Sequence, residues 1–505
     1  MRILIWHGWL LEGSGSNVVT ARTTEAWRAA GHDVVLLCQE RHPDRYPWID
    51  TDGLVDADGP SELTERRQRP AGSGRCVMLR PLIGPTLPVF VVDRYEGFDA
   101  VRRFPDLSDP ELERYLRANV EALQAAVAWH GSEIVVTGHA IPGAAIARRA
   151  LGAGRYVAKI HGSDLEYAVR LQDRYRERAR EGLGGARAVI GAAGEVLERC
   201  AGFVPEMRNR GRVVAPGVDI GAFRPRPRAE ALTDVANRLS VDRDTVRGRP
   251  ADTDVLVEHA IEARDAAALG EIAETYDQAV PEPAAAERLR ALAAGDRPIV
   301  GYLGKLIPQK GVELALCAHR GLAHDAEMLV VGFGSHREWL AALANALRRG
   351  DRVALAWLRD AGGMPIGNTG PAVDGAQRTV TFTGRLDHRY APAALAAMDV
   401  MVVPSILHEA FGMVAAEAAA AGALPIVARH SGLAEVADAL ESAVGRPGMF
   451  SFEPGDGSVD RLTTSIDLLL ALPRKERDEL RAGVSAFVGR EWTWERTAER
   501  ILAAW

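Results

Sequence analysis

Short apolar runs alternate with amphipathic stretches from the first residues onward. Arg2–Trp6 (RILIW) is nearly continuous in its apolar character, as a strand buried on both faces must be. Val18–Ala30 places Val19, Thr23, Ala26, Trp27 and Ala30 on one side of a helix, and Gly31 suits its C-terminal cap. Val34–Cys38 is a second apolar run. Strand, helix and strand in so short a span predict a βαβ unit and a parallel sheet. Further strands are expected at Cys76–Leu79, Val89–Val92, Glu133–Thr137, Tyr156–Ile160, Ala188–Ile190 and Val213–Ala215, with helices at Asp109–His130 and Gly143–Leu151. Glu12–Asn17 reads as a small-residue loop. Asp44–Gly74, rich in Pro, Gly, Asp and Arg, reads as a long surface loop.

The rhythm changes after Gly217. Residues 225–292 are rich in charge, with Tyr276 the only aromatic between Phe223 and Tyr302, and Val255–Ala268 and Leu269–Tyr276 have helical spacing. This stretch is expected to be a helical insertion or a solvated linker. A second βα series starts at Pro298. Its strands are expected at Ile299–Leu303, Glu327–Val331, Val380–Thr383, Val400–Val403 and Leu424–Val427, and its helices at Gly311–Gly321, His336–Arg349 and Phe411–Ala421. Trp492–Trp505 reads as an amphipathic helix. The fold class is therefore α/β: two doubly wound, Rossmann-like domains facing a cleft. The expected division is 1–217, a linker and helical insertion at 218–294, a second domain at 295–486, and a terminal helix at 487–505.

Composition sharpens this picture. The 505 residues carry 61 basic and 68 acidic side chains, a formal net charge of −7, so nucleic acid is not an expected partner. Cys38, Cys76, Cys200 and Cys317 are far apart, as expected of reduced thiols in a cytoplasmic protein. No apolar run is long enough for a spanning helix, and the start reads as a strand rather than a signal peptide. Arg170–Arg180 mixes both signs and reads as a solvated helix; a peripheral membrane or acceptor contact there is the lesser alternative. Only four of the basic residues are lysines: Lys159, Lys305, Lys310 and Lys475.

Three segments can carry chemistry. The loop Gly13-Ser14-Gly15-Ser16-Asn17, between a strand and a helix start, suits a phosphate or is simply a tight turn. Val18 replaces the third glycine of a dinucleotide fingerprint; Glu40 keeps a nicotinamide enzyme open as a reading. In Gly304–Gly311 (GKLIPQKG), Lys305 and Lys310 leave a parallel strand at its carboxyl end, where two ammonium groups could neutralise a diphosphate. In Pro404–Glu417 (PSILHEAFGMVAAE), Glu409 precedes a helix whose first N–H groups belong to Phe411, Gly412 and Met413. Glu417 follows two turns on, roughly 9–12 Å away at about 1.5 Å per residue. That separation suits a nucleotide sugar, with hexose at one carboxylate and ribose at the other.

Together these segments resemble the retaining GT-B glycosyltransferases of glycosyltransferase family 4. The matching pieces are the early Gly-rich loop, His161-Gly162-Ser163-Asp164, Ala215-Pro216-Gly217-Val218-Asp219 with Phe223, GYLGKLIPQKG (301–311), Val331-Gly332-Phe333-Gly334, FTGRLDH (382–388), and Glu409-x7-Glu417 with Gly422. They span both domains and omit mainly 225–292. The resemblance implies transfer of a sugar from a nucleoside diphosphate sugar to an acceptor with retained configuration, and with neither metal nor cofactor. It implies that His161, Lys305, Lys310 and Glu409 serve catalysis. Gly13, Gly15, Arg385, Leu386, Phe411, Gly412, Met413 and Glu417 would hold the donor, with Arg385 and Leu386 meeting the base largely through backbone groups. Lys305 stands where the family usually has Arg, Ala410 where Pro is common, and Gln309 where Glu is frequent. Asp50-Thr51-Asp52, Asp56-Ala57-Asp58 and Asp252-Thr253-Asp254 imitate a metal-binding DxD but lie in expected loops. His139 is a candidate for the acceptor side. The alternatives are a nucleotide-sugar epimerase on the same fold and a non-catalytic nucleotide-sugar-binding protein. The donor base, the hexose, the acceptor and the oligomeric state are left open by the sequence.

Overall fold

The computed structural model describes residues 1–91, 97–242, 253–275, 280–364 and 378–505. Two compact units result: Met1–Gly217 together with Trp492–Trp505, and Val218–Glu491.

The first unit is built on nine strands: β1 (Arg2–Trp6), β2 (Asp33–Leu37), β3 (Thr51–Asp56), β4 (Gly59–Glu65), β5 (Cys76–Pro81) and, after a separate pair β6 (Thr86–Val89) and β7 (Ala100–Arg103), β8 (Ile134–Gly138), β9 (Val157–Lys159), β10 (Ala188–Gly191) and β11 (Gly211–Val213). Their order across the sheet is β11-β10-β9-β8-β1-β2-β5-β3-β4. All neighbours are parallel except β3 and β4. Alternate residues of β1 face opposite layers. Leu4 and Trp6 join one buried cluster with Val35 and Leu37; Ile3 and Ile5 join the other with Val34 and Leu36. Helices therefore cover both faces, as the unbroken apolar strands require. The helix Trp494–Ala503 lies on the second face, where Ala498 and Ile501 are buried and the Trp27 indole N–H donates to the Ala498 carbonyl at 3.0 Å.

The Asp44–Gly74 expectation is overturned. This stretch carries β3 and β4, an antiparallel hairpin that extends the sheet edge. Thr51, Gly53 and Val55 are buried in strict alternation along β3, and Ala57-Asp58 makes the turn before Gly59, which opens β4 at φ +113°. An Asp-Gly pair between alternating residues is a hairpin signal that the polar composition hid. Smaller corrections follow the same logic. The helix of the early loop starts at Gly15 because Ser14 caps it, and β6 ends at Val89. Val92 of the expected strand, Tyr276 and Asp252 lie outside the described residues.

The second unit has a six-stranded parallel sheet: β12 (Ile299–Leu303), β13 (Glu327–Val331), β14 (Val380–Phe382), β15 (Val400–Val403), β16 (Leu424–Ala428) and β17 (Ser451–Phe452). The order is β14-β13-β12-β15-β16-β17. The 225–292 stretch is no solvated spacer. Helices Arg228–Val241 and Ala285–Ala294 pack on one another and bury Leu232, Val235, Leu239, Leu289 and Leu292. They belong to this unit, tied down where the Arg228 guanidinium donates to the carbonyls of Gly295 and Arg297.

Candidate functional site

In the second unit the loops after β12 and β15 meet at the carboxyl end of the sheet, where parallel sheets open to ligands. Gly311 sits at φ +63°, and a Cβ there would lie 2.2 Å from the Pro404 carbonyl oxygen. Only glycine permits that approach of two backbones. The contact continues through Ile406 N–H, which donates to the Gln309 carbonyl at 2.9 Å. The loop after β12 is also tied to the segment after β13: Leu306 N–H donates to the Phe333 carbonyl at 2.7 Å, and the Tyr302 hydroxyl donates to the Lys305 carbonyl at 2.8 Å.

This scaffold brings Lys310 and Glu409, 99 residues apart in sequence, into a direct ion pair. The Ser405 hydroxyl donates to the same carboxylate oxygen at 2.8 Å. The Glu409 backbone N–H donates to the Ser431 hydroxyl at 3.0 Å, and Ser431 is held at φ +51°. His430 completes the chain. Its Nε2 lies 2.7 Å from the Ser405 carbonyl, which can only accept, so Nε2 carries the proton and Nδ1 accepts from the Ser431 hydroxyl at 3.0 Å. Ser405, His430 and Ser431 were missed in the sequence because their roles come from a fold contact between two loops.

Phe411, Gly412 and Met413 form the entry to the helix Met413–Ala421. Gly412 adopts φ +97°, and a Cβ there would meet Leu433 Cδ2 at 2.4 Å. No acidic side chain occupies the first turn, so its N–H groups and the positive end of the helix face no competing carboxylate of their own. Glu417, further along this helix, makes no hydrogen bond or ion pair with the described residues, and burial pushes its carboxyl up to about 8. Lys305 is exposed at the start of its loop. Leu386 is buried, and the Arg385 guanidinium stands 5.9 Å from the Phe333 ring centre. The expectation of backbone contacts needs one correction: Arg385 N–H already donates to the Val280 carbonyl at 3.0 Å.

Below the lysine loop lies a second pair that the sequence did not reveal. Glu313 Oε2 is 4.0 Å from His336 Nε2, both buried and neither hydrogen-bonded. Burial pushes Glu313 up to about 7 and His336 down to about 4.

Gly13, Gly15 and His161 belong to the first unit. Gly13 has φ +93°, and Gly15 opens the helix Gly15–Ala29, with the Ser14 hydroxyl accepting from Asn17 N–H. Asn17 in turn holds His7, its amide oxygen 2.9 Å from His7 Nε2. His161 follows β9, with its ring 4.6 Å from that of His139. Burial first, then Lys159 and His7, hold His161 well below the usual histidine range. The DxD look-alikes are engaged elsewhere. Asp50 forms a buried, two-pronged pair with Arg28 at 2.7 and 2.9 Å, Asp52 pairs with Arg66, and Asp56 accepts from Asp58 N–H.

Comparison with known proteins adds the following. Residues 374–483 match the family described as glycosyl transferases group 1. The chain is 30% identical over 288 residues to a GDP-mannose-dependent alpha-(1-6)-phosphatidylinositol monomannoside mannosyltransferase of Mycolicibacterium smegmatis, covering 53% of this chain and 64% of that protein. It is 31% identical over 224 residues to a 2-deoxystreptamine glucosyltransferase of Streptomyces kanamyceticus (43% and 46%), and 29% identical over 212 residues to a D-inositol 3-phosphate glycosyltransferase of Segniliparus rotundus (41% and 39%). Each match spans less than two thirds of the relative's length. Two solved structures match along nearly the whole chain: sucrose-phosphate synthase of Thermosynechococcus elongatus, with TM-score 0.58, 18% identity and coverage of 99% and 97%, and Anabaena HepE in complex with UDP-glucose, with TM-score 0.53, 12% identity and coverage of 99% and 98%. With its two Rossmann-like sheets, the first mixed only at its β3–β4 edge, the chain has the GT-B fold.

Proposed function

We propose that this chain is a retaining glycosyltransferase that moves a sugar from a nucleoside diphosphate sugar to an acceptor hydroxyl without a metal. The observation that carries the reading is the Lys310–Glu409 pair, held at the carboxyl end of the second sheet beside the N-terminus of the helix Met413–Ala421. The group 1 match over 374–483 encloses both carboxylates of the Glu409-x7-Glu417 motif. The relatives' names are those of transferases, which favours transfer over epimerisation.

In this reading the bond between the anomeric carbon and the diphosphate oxygen breaks, and the electron pair leaves with the diphosphate. Lys305, Lys310 and the N–H groups of Phe411–Met413 neutralise the charge that grows there, and such groups act most strongly where the charge is largest. The acceptor oxygen forms its bond on the face that the leaving group vacates, and its proton passes to a diphosphate oxygen. Glu409 binds the hexose hydroxyls, Glu417 accepts from the ribose hydroxyls, and His161 of the first unit lines the reacting centre. Gly13 and Gly15 leave room for the donor phosphates, and Arg385 and Leu386 border the base. The place of action is the cytoplasm, where nucleotide sugars are the donors. The relatives' names carry acceptors of three different kinds, so they select none for this chain.

The test is a thermal-shift and calorimetric screen of the whole chain against nucleoside diphosphates and their sugars, followed by donor turnover in the presence of a chelator. One base should bind clearly better than the others, and turnover should persist in EDTA. Activity that disappears in EDTA and returns with Mn²⁺ would overturn the metal-free mechanism, and binding of no nucleoside diphosphate would overturn the whole reading.

A further inference from the structure

The carboxyl ends of three adjacent strands in the first unit hold a cluster of which the proposed donor chemistry uses only His161. Lys159 is the last residue of β9, opposite Gly138 of β8 in register. His139 follows Gly138, His161 follows β9 two residues after Lys159, and His7 follows β1, the neighbour of β8. The rings of His139 and His161 are 4.6 Å apart, and those of His7 and His139 are 6.1 Å apart. Lys159 lies within electrostatic reach of all three histidines.

The hydrogen-bond inventory of this cluster is one-sided. Lys159 is 5% exposed and His139 1% exposed, yet Lys159 Nζ, His139 Nδ1 and His161 Nε2 have no partner. His7 is satisfied by Asn17 and by Thr20, at 2.9 and 3.1 Å. The Asp164 carboxylate is already engaged: its oxygens accept from the backbone N–H groups of Ala140 at 2.6 Å, Leu165 at 3.1 Å and His161 at 3.3 Å. An ammonium can only donate, and each neutral imidazole can present its open nitrogen as an N–H. A buried ammonium without a counter-charge costs several kcal/mol. In the same chain, Lys310 is matched with a carboxylate. His139 is also held at φ +72°, a conformation that side chains other than glycine rarely keep without a reason.

We infer that Lys159, His139 and His161 form an oxyanion site in the first unit that receives a phosphate group carried by the acceptor. A ligand group that only accepts hydrogen bonds satisfies three open donors at once, and its charge balances Lys159. A neutral sugar hydroxyl would leave the ammonium uncompensated. The torsional freedom of the four-carbon stem lets the ammonium meet the ligand. The inference rests on the proposed function for the word acceptor; the oxyanion site itself does not.

With only four lysines in the chain, the test is direct. The full-length protein is produced with lysine labelled by ¹³C at Cε, and the four signals are assigned with single Lys→Arg variants. The protein is first titrated with UDP and GDP. Lys305 or Lys310 should move, and failure of both to move would count against the donor reading alone. With the better nucleotide kept saturating, inorganic phosphate, glycerol 3-phosphate and acetate are then added separately. Both phosphates should shift the Lys159 signal and raise its apparent pKa, which burial otherwise lowers to about 7, because an anion stabilises the ammonium form. Lys159→Met should abolish phosphate binding measured by calorimetry, while the remaining lysine signals keep their folded positions. A Lys159 signal that titrates near neutrality and ignores both phosphates would overturn the site. A response to inorganic phosphate but not to glycerol 3-phosphate would overturn its assignment to the acceptor.

Discussion

At the carboxyl edge of β12 and β15, Lys310, Glu409, Ser405, His430 and Ser431 form a continuous chain of donors matched to acceptors. At the carboxyl edge of β1, β8 and β9, Lys159, His139 and His161 present donors with nothing to receive them. Both edges occupy the place where a parallel sheet opens to ligands. At the matched edge, a diphosphate must compete with Glu409 for Lys310. Among the described residues, the unmatched edge offers no acceptor partner for Lys159 Nζ to exchange. One chain thus holds two ways of keeping a cation ready: paired within the protein, or buried without a partner.

The most direct way to break this contrast is to remove one partner of the matched edge. Lys310→Ala should lower kcat by about 10²–10³, as loss of a group that stabilises developing charge does. Glu409→Ala should do comparable harm, because it removes the hexose contact and leaves Lys310 and Ser405 without their acceptor. Steady-state kinetics on folded variants, with donor affinity measured separately, distinguishes a transition-state role from simple binding. A near-normal kcat for Lys310→Ala would reduce the loop to a surface turn.

Much of the matched edge was legible in the chain. Lys305, Lys310 and Glu409 stand out as charged residues in strand-to-helix loops and Glu417 as a carboxylate along the helix that follows, and the strands Ile299–Leu303, Glu327–Val331 and Val400–Val403 fall at their expected limits. Local pattern suffices there because each strand is one unbroken apolar run. It fails where the signal is spread over distance. His430 and Ser431 gain meaning only when β16 brings them beside Glu409, and Glu313 meets His336 only through the fold. At the unmatched edge His139 and His161 were named as candidates, but Lys159 reads as part of a strand, and nothing local shows whether a carboxylate faces it. Pattern also misled at 44–74, where polar composition concealed a hairpin; at 225–292 it gave the helical spacing seen in Thr253–Ala263 and Ala266–Thr275, while surface charge hid the buried stripe Leu232, Val235 and Leu239.

Glu417 offers a sharper and smaller test of the matched edge. Burial raises its carboxyl to about 8, so near neutrality the group is largely protonated before ligand arrives. Ribose hydroxyls donate best to the ionised form. Binding that prefers the carboxylate must release a proton below this value, so nucleoside diphosphate affinity should rise with pH and level off above about 8. The gain is at most tenfold per pH unit. Ionisation of the ligand's own phosphate changes over part of the same range, so the measurement is the difference between wild type and Glu417→Gln. The wild-type slope should exceed that of the variant. Identical slopes would remove Glu417 from the ribose contact.

The unmatched edge should reveal itself in stability rather than in rate. Burial lowers Lys159 to about 7, against an ordinary lysine value of about 10.4 in the unfolded chain. Between these two values the unfolded chain holds a proton that the folded chain has released. The contribution of Lys159 to unfolding free energy therefore rises with pH through that window, by at most about 1.4 kcal/mol per unit. Below about 7 both states are charged, and the folded state bears the full cost of a buried ammonium. Replacing Lys159 with Met removes the charge while keeping an unbranched stem. The variant should then gain stability at pH 6, by several kcal/mol, and that advantage should shrink steadily through pH 9 and vanish only above about 10. Asp164, Glu313 and Glu417, raised to about 6, 7 and 8 by burial, have the opposite sign and are common to both proteins, so the lysine is read from the difference between wild type and variant at each pH. The same melts repeated with saturating phosphate sharpen the contrast between the edges. Phosphate should stabilise the wild type most at low pH, where the ammonium is charged, and should leave Lys159→Met unchanged at the first edge. A variant less stable than wild type at pH 6 would mean that Lys159 already has a counter-charge, and the two edges would then be furnished alike.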